Sequence, residues 1–343
     1  MIRFNNDYNH GAHPKILAAL QNINENAYGG YGKDEWCLKA CEAIKKYINN
    51  SDADIHFLVG GTQVNYIAIA SMLKPFQGII SPESGHINVH ETGAVENSGH
   101  KVLSLPATNG KITAQQIEEQ AILYENSPVQ EHIVQPKAVY ISFPTEYGTI
   151  YSKSELENIS QVCKNHGLYL FIDGARLGYG LGSEECDVSI ADLANYSDMF
   201  YIGGTKCGAL FGEALIITNK FLQPDFRSYI KQNGAMLAKG WLLGIQFYTL
   251  FNDGLYFEIT KNASSMAKRI KNAFQKKGIN SFIDSPTNQQ FVVVTDEQKA
   301  KLSEKFIFEE EGKTDSGNII RFCTSWSTKE EELSELLLEI EKL

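Results

Sequence analysis

Nowhere in its 343 residues does this sequence offer an apolar run long enough to cross a membrane, and its first fourteen residues, MIRFNNDYNHGAHP, are polar. That opening lacks the apolar core of a signal peptide, so the expectation is a cytoplasmic protein. Cysteine is scarce: the six, at positions 37, 41, 163, 186, 207 and 323, are scattered through otherwise periodic segments and suggest no disulfide framework. Cys37 and Cys41 share a helical face without a second close pair of ligands, which makes them packing residues rather than a zinc site. Basic charge is in deficit, with 31 Lys and Arg against 41 Asp and Glu, a net charge of -10 and a pI near 5.4. A chain that repels phosphate overall is not expected to bind nucleic acid or an acidic membrane, although a local basic pocket for one phosphate is compatible with it. Internal repeats and low-complexity tracts are also missing.

What remains is an ordinary globular composition, 43% hydrophobic and 21% charged, long enough for one large and one small domain. Helical periodicity covers residues 14–20 and 34–47; the strand-like ADIHFLV follows, ending at Val59, ahead of a helix from Thr62. The cycle repeats. GIIS precedes a helix near His86, KVLSL one over 113–124, and PKAVYIS one over 152–165, while LYLFID, DMFYIG and EALIIT complete seven strands. Strands alternating with helices imply an α/β fold whose mainly parallel seven-stranded sheet is covered on both faces and gathers ligands at its carboxyl ends. After Lys239 the pattern changes to one long helical stretch, 241–276, expected to link the domains. QQFVVV, EKFIF, NIIRFC and an acidic helix over 329–343 then suit a small α+β domain. The expected division is 1–245, N-terminal arm included, and 246–343.

Lys206, in YIGGTKCGALFGEA, sits among glycines and small residues, and Asp173 ends the hydrophobic strand LYLFID. Desolvation drives an ammonium toward the neutral amine that condenses with an aldehyde, and a carboxylate at a buried strand end can hold a cationic ring nitrogen. The pair suggests pyridoxal phosphate. The plainer readings are a surface lysine in a glycine turn and an Asp173 that caps the helix opening near Ala175. Gly60, Gly61 and Thr62 lie between a strand and a helix, where free N–H groups and the helix dipole suit a phosphate; Thr62 as a simple cap is the alternative. Thr205 would add a hydroxyl. His86, in SPESGHINVHETGAVE, is placed to stack on a planar ring and exchange protons, whereas His86, His90 and Glu91 together would be the start of a metal site that departs from H-E-x-x-H. Neither GYGLG nor GGTKCG has the spacing of a nucleotide loop.

The order GGTQVN, SGHINVHE, FIDGARLG and GGTKCGALFGEA resembles the threonine aldolase branch of the aromatic amino acid β-eliminating lyases, in the aspartate aminotransferase fold, and the likeness covers nearly the whole chain. YGKDE and IIRFCTSW stand in the matching order. The resemblance implies that Lys206 forms the Schiff base with pyridoxal phosphate and Asp173 pairs with the ring nitrogen. His86 would stack on the ring, and Arg176 would lie near the phenolic oxygen and the substrate. Gly61, Thr62 and Thr205 would hold the phosphate, helped by Lys231 from a neighbouring subunit of a homodimer or homotetramer. Arg321 would bind the substrate carboxylate, its alternative being a strand-edge salt bridge. Three departures stand out: Asn6, as a substrate-binding residue whose amide can still donate to a carboxylate, replaces the usual serine before Asp7, Glu146 replaces a histidine after Thr145, and Ala238, followed by Lys239, replaces an arginine. The implied reaction cleaves the Cα–Cβ bond of threonine or allo-threonine to glycine and acetaldehyde, with Glu146, His86 or an ordered water as the base. Another pyridoxal-dependent elimination or amino transfer is the first alternative, and a metal-dependent hydrolase built on His86, His90 and Glu91 the distant one.

Overall fold

Period-two alternation along the central strands sorts their side chains onto two faces, and each face buries its own core. The computed structural model describes residues 1–343. After β1 (Ile2–Arg3) come the strands of the large sheet: β2 (Asp54–Leu58), β3 (Gln77–Pro82), β4 (Lys101–Leu105), β5 (Gln135–Ser142), β6 (Tyr169–Asp173), β7 (Met199–Gly203) and β8 (Glu213–Ile217). Then follow β9 (Ser281–Ile283), β10 (Gln289–Val294), β11 (Phe306–Ile307), β12 (Glu309–Thr314) and β13 (Gly317–Cys323). The large sheet runs β2-β8-β7-β6-β5-β3-β4, matching the seven expected strands. Ile141, Ile172, Ile202 and Ile216 face one way, against helices Glu35–Ile48, Lys153–Asn165 and Trp241–Phe251. Tyr140, Phe171, Tyr201 and Leu215 face the other, beneath helix Gly61–Met72. Each fully buried aliphatic chain stabilises the layers by about 1.5–3 kcal/mol.

Only β8 runs against its neighbours, pairing antiparallel with both β7 and β2. Its connection from β7 is residues 204–212, too short for a helical crossover, which needs about a dozen residues or more. The other six strands therefore point their carboxyl ends the same way. Between β6 and β7 the chain is drawn unusually tight. A Cβ on Gly174 would lie 1.8 Å from the Tyr201 carbonyl oxygen and one on Gly203 would lie 2.2 Å from that of Ala175. Glycine at both positions lets Gly203 N–H donate to Gly174 O at 2.9 Å, which brings the loops after β6 and β7 side by side.

Helix starts follow their caps: Asp34 accepts from Cys37 N–H, and Thr113 and Ser152 form capping boxes. Thr62 is no cap, because its helix begins at Gly61 behind Gly60 with no side-chain cap at all. The single helix expected over 241–276 is two, Trp241–Phe251 and Leu255–Lys276, broken where Gly254 takes a left-handed φ of 74° that ends the hydrogen-bond ladder. The second of these helices spans both cores, with Tyr256 and Ala263 in the large one and Ile270 and Phe274 in the C-terminal one. There an antiparallel sheet, β12-β13-β10-β9, includes two strands absent from the sequence reading, β9 and β12. The first residues of the chain join this end: β1 pairs in parallel with β11, and the Phe4 ring lies 6.2 Å from both Phe306 and Phe322. All six cysteines are free, and no helix is long and apolar enough to cross a membrane.

Candidate active site

Loops from the carboxyl ends of β2, β3, β5, β6 and β7 enclose two cavities that share His86, Glu146, Arg176 and Lys206 as walls. The inner cavity, about 270 Å³, is also lined by Gly60, Gly61, Thr62, Asp173, Thr205 and Glu213. The outer, about 660 Å³, adds Tyr8, His90, Tyr147, Phe291, Glu311 and Arg321. Most residues singled out in the sequence thus meet at one place: Lys206, Asp173, His86, Glu146, Arg176, Gly61, Thr62 and Thr205 around the inner space, Arg321 across the outer one. At the inner end, the uncapped helix Gly61–Met72 presents its first N–H groups, the arrangement that suits a phosphate.

The turn carrying Lys206 is fixed from several sides. Gly204 N–H and Thr205 N–H both donate to Gly212 O at 3.0 Å, Gly212 N–H donates to Thr205 Oγ1 at 2.9 Å, and the Tyr179 hydroxyl donates to Lys206 O at 2.5 Å. Burial and the Arg176 guanidinium pull the Lys206 ammonium below the ordinary lysine range, against the opposing charges of Asp7, Asp173 and Glu213. That favours the nucleophilic free amine.

Asp173, 3% exposed, accepts four hydrogen bonds. Oδ1 takes Tyr201 O–H at 2.5 Å and Ala175 N–H at 2.9 Å, and Oδ2 takes Tyr140 O–H at 2.7 Å and Asn65 Nδ2 at 3.1 Å. The plainer reading of Asp173 as a helix cap is corrected here: the following helix, Leu177–Leu181, starts behind Arg176 with no side-chain cap, and the bond from Ala175 N–H only fixes the turn before it, while Asp173 lines the inner cavity. Tyr140 and Tyr201 escaped the sequence reading because a tyrosine in a buried strand looks like any other β-former. Its hydroxyl's need for a buried partner was the available signal.

His86 opens a one-turn helix, His86–Val89, and its backbone N–H donates to Glu146 Oε1 at 2.9 Å. The same oxygen accepts from Ser142 Oγ at 2.7 Å. Burial raises the proton affinity of Glu146 above that of an ordinary carboxylate, only partly offset by the Ser142 and His86 donors. On the imidazole, burial acts downward, but the bond from Nδ1 to Glu91 and the charge of Asp173 carry the pKa above the usual histidine value. The metal reading is corrected here: Glu91 Oε1 lies 2.8 Å from His86 Nδ1, a direct hydrogen bond that leaves no room for an ion between them. No group of three or more His, Cys, Asp or Glu side chains has the geometry to hold a metal.

Arg176 is tied to Asp7, to which the sequence reading gave no role of its own, through Nε at 2.7 Å and Nη2 at 3.0 Å. Burial would raise the Asp7 carboxyl, yet the guanidinium beside it, with Lys206, holds it below the usual range. The expectation that Asn6 contacts the substrate is corrected: it lines neither cavity, its Oδ1 accepts from Tyr8 N–H at 3.0 Å, and Tyr8 is the arm residue that faces the outer space. Arg321 does form the strand-edge pair, Nη1 to Glu311 at 3.1 Å, but its buried Nε has no acceptor. Lys231 lies over the Tyr31 ring, 5.1 Å from its centroid, away from both cavities of its own chain.

Glu213, which lines the inner cavity, is a further residue missed, its only signal being a charge at the head of an otherwise apolar strand. Burial lifts its carboxyl to about 7 from an ordinary 4.5, although Gly204 N–H donates to it at 2.8 Å. Because the folded value is raised, its contribution to stability is complete below the unfolded pKa and lost as pH rises through about 7. Glu213→Gln carries no such charge. Relative to the natural chain, its apo form is expected to gain in melting temperature between pH 5 and pH 8; a pH-independent difference would rule the burial argument out.

Four similarities accompany this geometry. Residues 14–297 match the family described as beta-eliminating lyase. A low specificity L-threonine aldolase of Pseudomonas sp. (strain NCIMB 10558) is 28% identical over 345 residues, covering 98% of this chain and 96% of that protein. Among solved structures, Leishmania major threonine aldolase is 45% identical with a TM-score of 0.96, covering 100% of this chain and 99% of its own. Aspartate aminotransferase from Thermus thermophilus with maleate, 14% identical with a TM-score of 0.71 over 100% of this chain and 91% of its own, shares the fold.

Proposed function

This chain belongs to the threonine aldolase branch of the β-eliminating lyase family, and from that premise we propose that it cleaves the Cα–Cβ bond of threonine or allo-threonine to glycine and acetaldehyde with bound pyridoxal phosphate. The observation that carries the reading is the meeting of Lys206, Asp173 and an uncapped helix N-terminus around one inner cavity, opening on an outer one lined by Arg321.

The residues fit such a cofactor. Lys206 would hold it covalently, Asp173 would face its ring nitrogen, and His86 would lie against the ring. Gly61, Thr62 and Thr205 would surround its phosphate at the helix start. A Cβ on Gly61 would come within 3.0 Å of the Tyr201 hydroxyl, so glycine keeps that wall open. When bound, the cofactor supplies an electron sink for the pair released by the breaking carbon–carbon bond.

The remaining work falls to side chains of this chain. Arg321, which lines the outer cavity, takes the substrate carboxylate as a fork, with Arg176 held rigid by Asp7 and lining the same cavity. Glu146 accepts the β-hydroxyl proton: it borders both cavities, and its raised proton affinity brings it nearer the working pH than an ordinary carboxylate. In that role it stands where relatives of this branch commonly carry histidine. Lys231 is proposed to serve the phosphate site of a second copy in a homodimer or homotetramer.

Purified protein treated with borohydride is expected to lose its visible band and to carry the reduced adduct on the tryptic peptide containing Lys206. Threonine or allo-threonine should then release glycine and acetaldehyde in equal amounts from the untreated enzyme. Formation of a keto acid instead would move the reading to amino transfer or β-elimination; a colourless protein without the adduct would end it.

A further inference from the structure

Behind His86 runs a chain of buried polar side chains that binding and proton abstraction leave unused. His86 Nδ1 lies 2.8 Å from Glu91 Oε1, and the Glu91 side chain is 0% exposed. Asn65, equally buried, donates from Nδ2 to that same oxygen at 2.7 Å and to Asp173 Oδ2 at 3.1 Å. One amide thus spends both its hydrogens bridging two carboxylates. Its orientation is forced, because a flip would set the amide oxygen against two carboxylate oxygens. Two acceptors pay for this arrangement with no donor at all, Glu91 Oε2 and Asn65 Oδ1. Folds rarely keep buried groups unsatisfied, and neutral side chains of the same shape would remove the cost. The sequence places Asn65 conspicuously: in GTQVNYIAIASM it interrupts a run of buried apolar residues, Val64, Ile67, Ala68 and Ile69.

We propose that Glu91 is a positioning residue that holds His86 with Nδ1–H turned toward itself and Nε2 turned toward the cavities, and that Asn65 links this pair to Asp173. The inference rests on the aldolase reading only in taking His86 as a group that faces the reacting atoms. The bond to Glu91 selects the tautomer and fixes the ring plane, as the third member of a catalytic triad does for its histidine. The amide link makes the charge on one carboxylate felt by the other. Five titratable groups surround the imidazole: Glu91, Asp173, Lys206, His90 and Glu146. Of these, Glu91 alone contacts a ring nitrogen, so changes at Glu91 and Asn65 should be read out at the ring.

The test is the titration of the His86 ring by ¹H–¹⁵N NMR in the apoprotein, followed by kinetics of the holoenzyme. Glu91→Gln keeps shape but removes the anion, and the His86 pKa is expected to fall. Asn65→Ala leaves the carboxylate but removes its donor, which makes Glu91 the stronger acceptor, and the His86 pKa is expected to rise. In the holoenzyme Glu91→Gln should lower kcat by about 10²-fold, the scale of a misoriented catalytic group, with KM little changed. Glu91→Asp, with the charge kept on a shorter arm, should recover part of that loss and stands in if the glutamine variant fails to fold. A His86 titration that is unmoved by Glu91→Gln, or moved the same way by both substitutions, would overturn the proposal. Loss of the Lys206 adduct in the borohydride experiment would sink the aldolase reading without touching this titration, so the two failures are distinguishable.

Discussion

Lys206→Ala protein is expected to lose threonine cleavage by roughly 10⁴-fold or more, the scale seen when an enzyme's nucleophile is removed. It should also yield no borohydride-stable adduct on the peptide that contains position 206. The fold should survive, because the turn is held by backbone bonds between Gly204, Thr205 and Gly212 and by the Tyr179 hydroxyl on the main-chain oxygen, none of which involves the lysine side chain beyond Cα. What disappears is an amine whose neutral form is favoured by burial and by Arg176. A small primary amine in solution can enter the 660 Å³ outer cavity and replace that function without its positioning. Methylamine should therefore restore a measurable part of the rate in Lys206→Ala and none in the natural enzyme. Turnover within tenfold of the natural enzyme in the alanine variant, without added amine, would show that no covalent attachment at this position is needed.

The large sheet was legible because buried strands announce themselves as apolar runs and because their order with helices dictates a parallel arrangement. From that followed the place of the site: Asp173 ends β6 and Lys206 lies just beyond β7, and both were found by asking what stands at strand ends. Less legible was whatever depended on distant pairing. β12 reads EEEGKT, an exposed, charged edge strand with no alternation, held by its register against β13. The arm that carries Phe4 and Asp7 reaches Phe322 across most of the chain and Arg176 across 169 positions. The break after Phe251 was signalled by Asn252-Asp253-Gly254 but hidden by apolar periodicity that continues on both sides of it.

Inside the site the division is similar. Residues with chemistry of their own, Lys206, Asp173 and His86, stood out by type and context, and Glu146 through the family resemblance. The residues that hold them did not: Asn65, Tyr140 and Tyr201 sit in segments that a sequence presents as plain core, and Glu91 was visible only as a possible metal ligand. Their roles come from three elements converging on one face of the sheet. Tyr140 and Tyr201 project from β5 and β7 on the side where helix Gly61–Met72 packs, and Asp173 lies between them on β6. No local pattern encodes that meeting.

That convergence sets the terms of the second large prediction. Asp173→Ala would leave the Tyr140 and Tyr201 hydroxyls and one of the two Asn65 amide hydrogens without an acceptor, each buried orphan costing about 1–3 kcal/mol, and instability would obscure any kinetic effect. Asp173→Asn keeps the shape and one acceptor oxygen while removing the charge. It is expected to lower kcat by about 10²–10³-fold, the range for loss of a preorganised electrostatic partner, and to leave KM nearly unchanged because the substitution leaves Arg321 and Arg176, the proposed carboxylate site, in place. A general loosening of the site would raise KM as well. The decisive control is reconstitution with pyridoxal phosphate methylated on its ring nitrogen, which carries a permanent positive charge and needs no carboxylate to keep a proton there. If Asp173 acts by holding that charge, the methylated cofactor should narrow the gap between the natural enzyme and Asp173→Asn. If the gap stays as wide, Asp173 serves the site through its four hydrogen bonds alone, and the electrostatic role assigned to it is wrong.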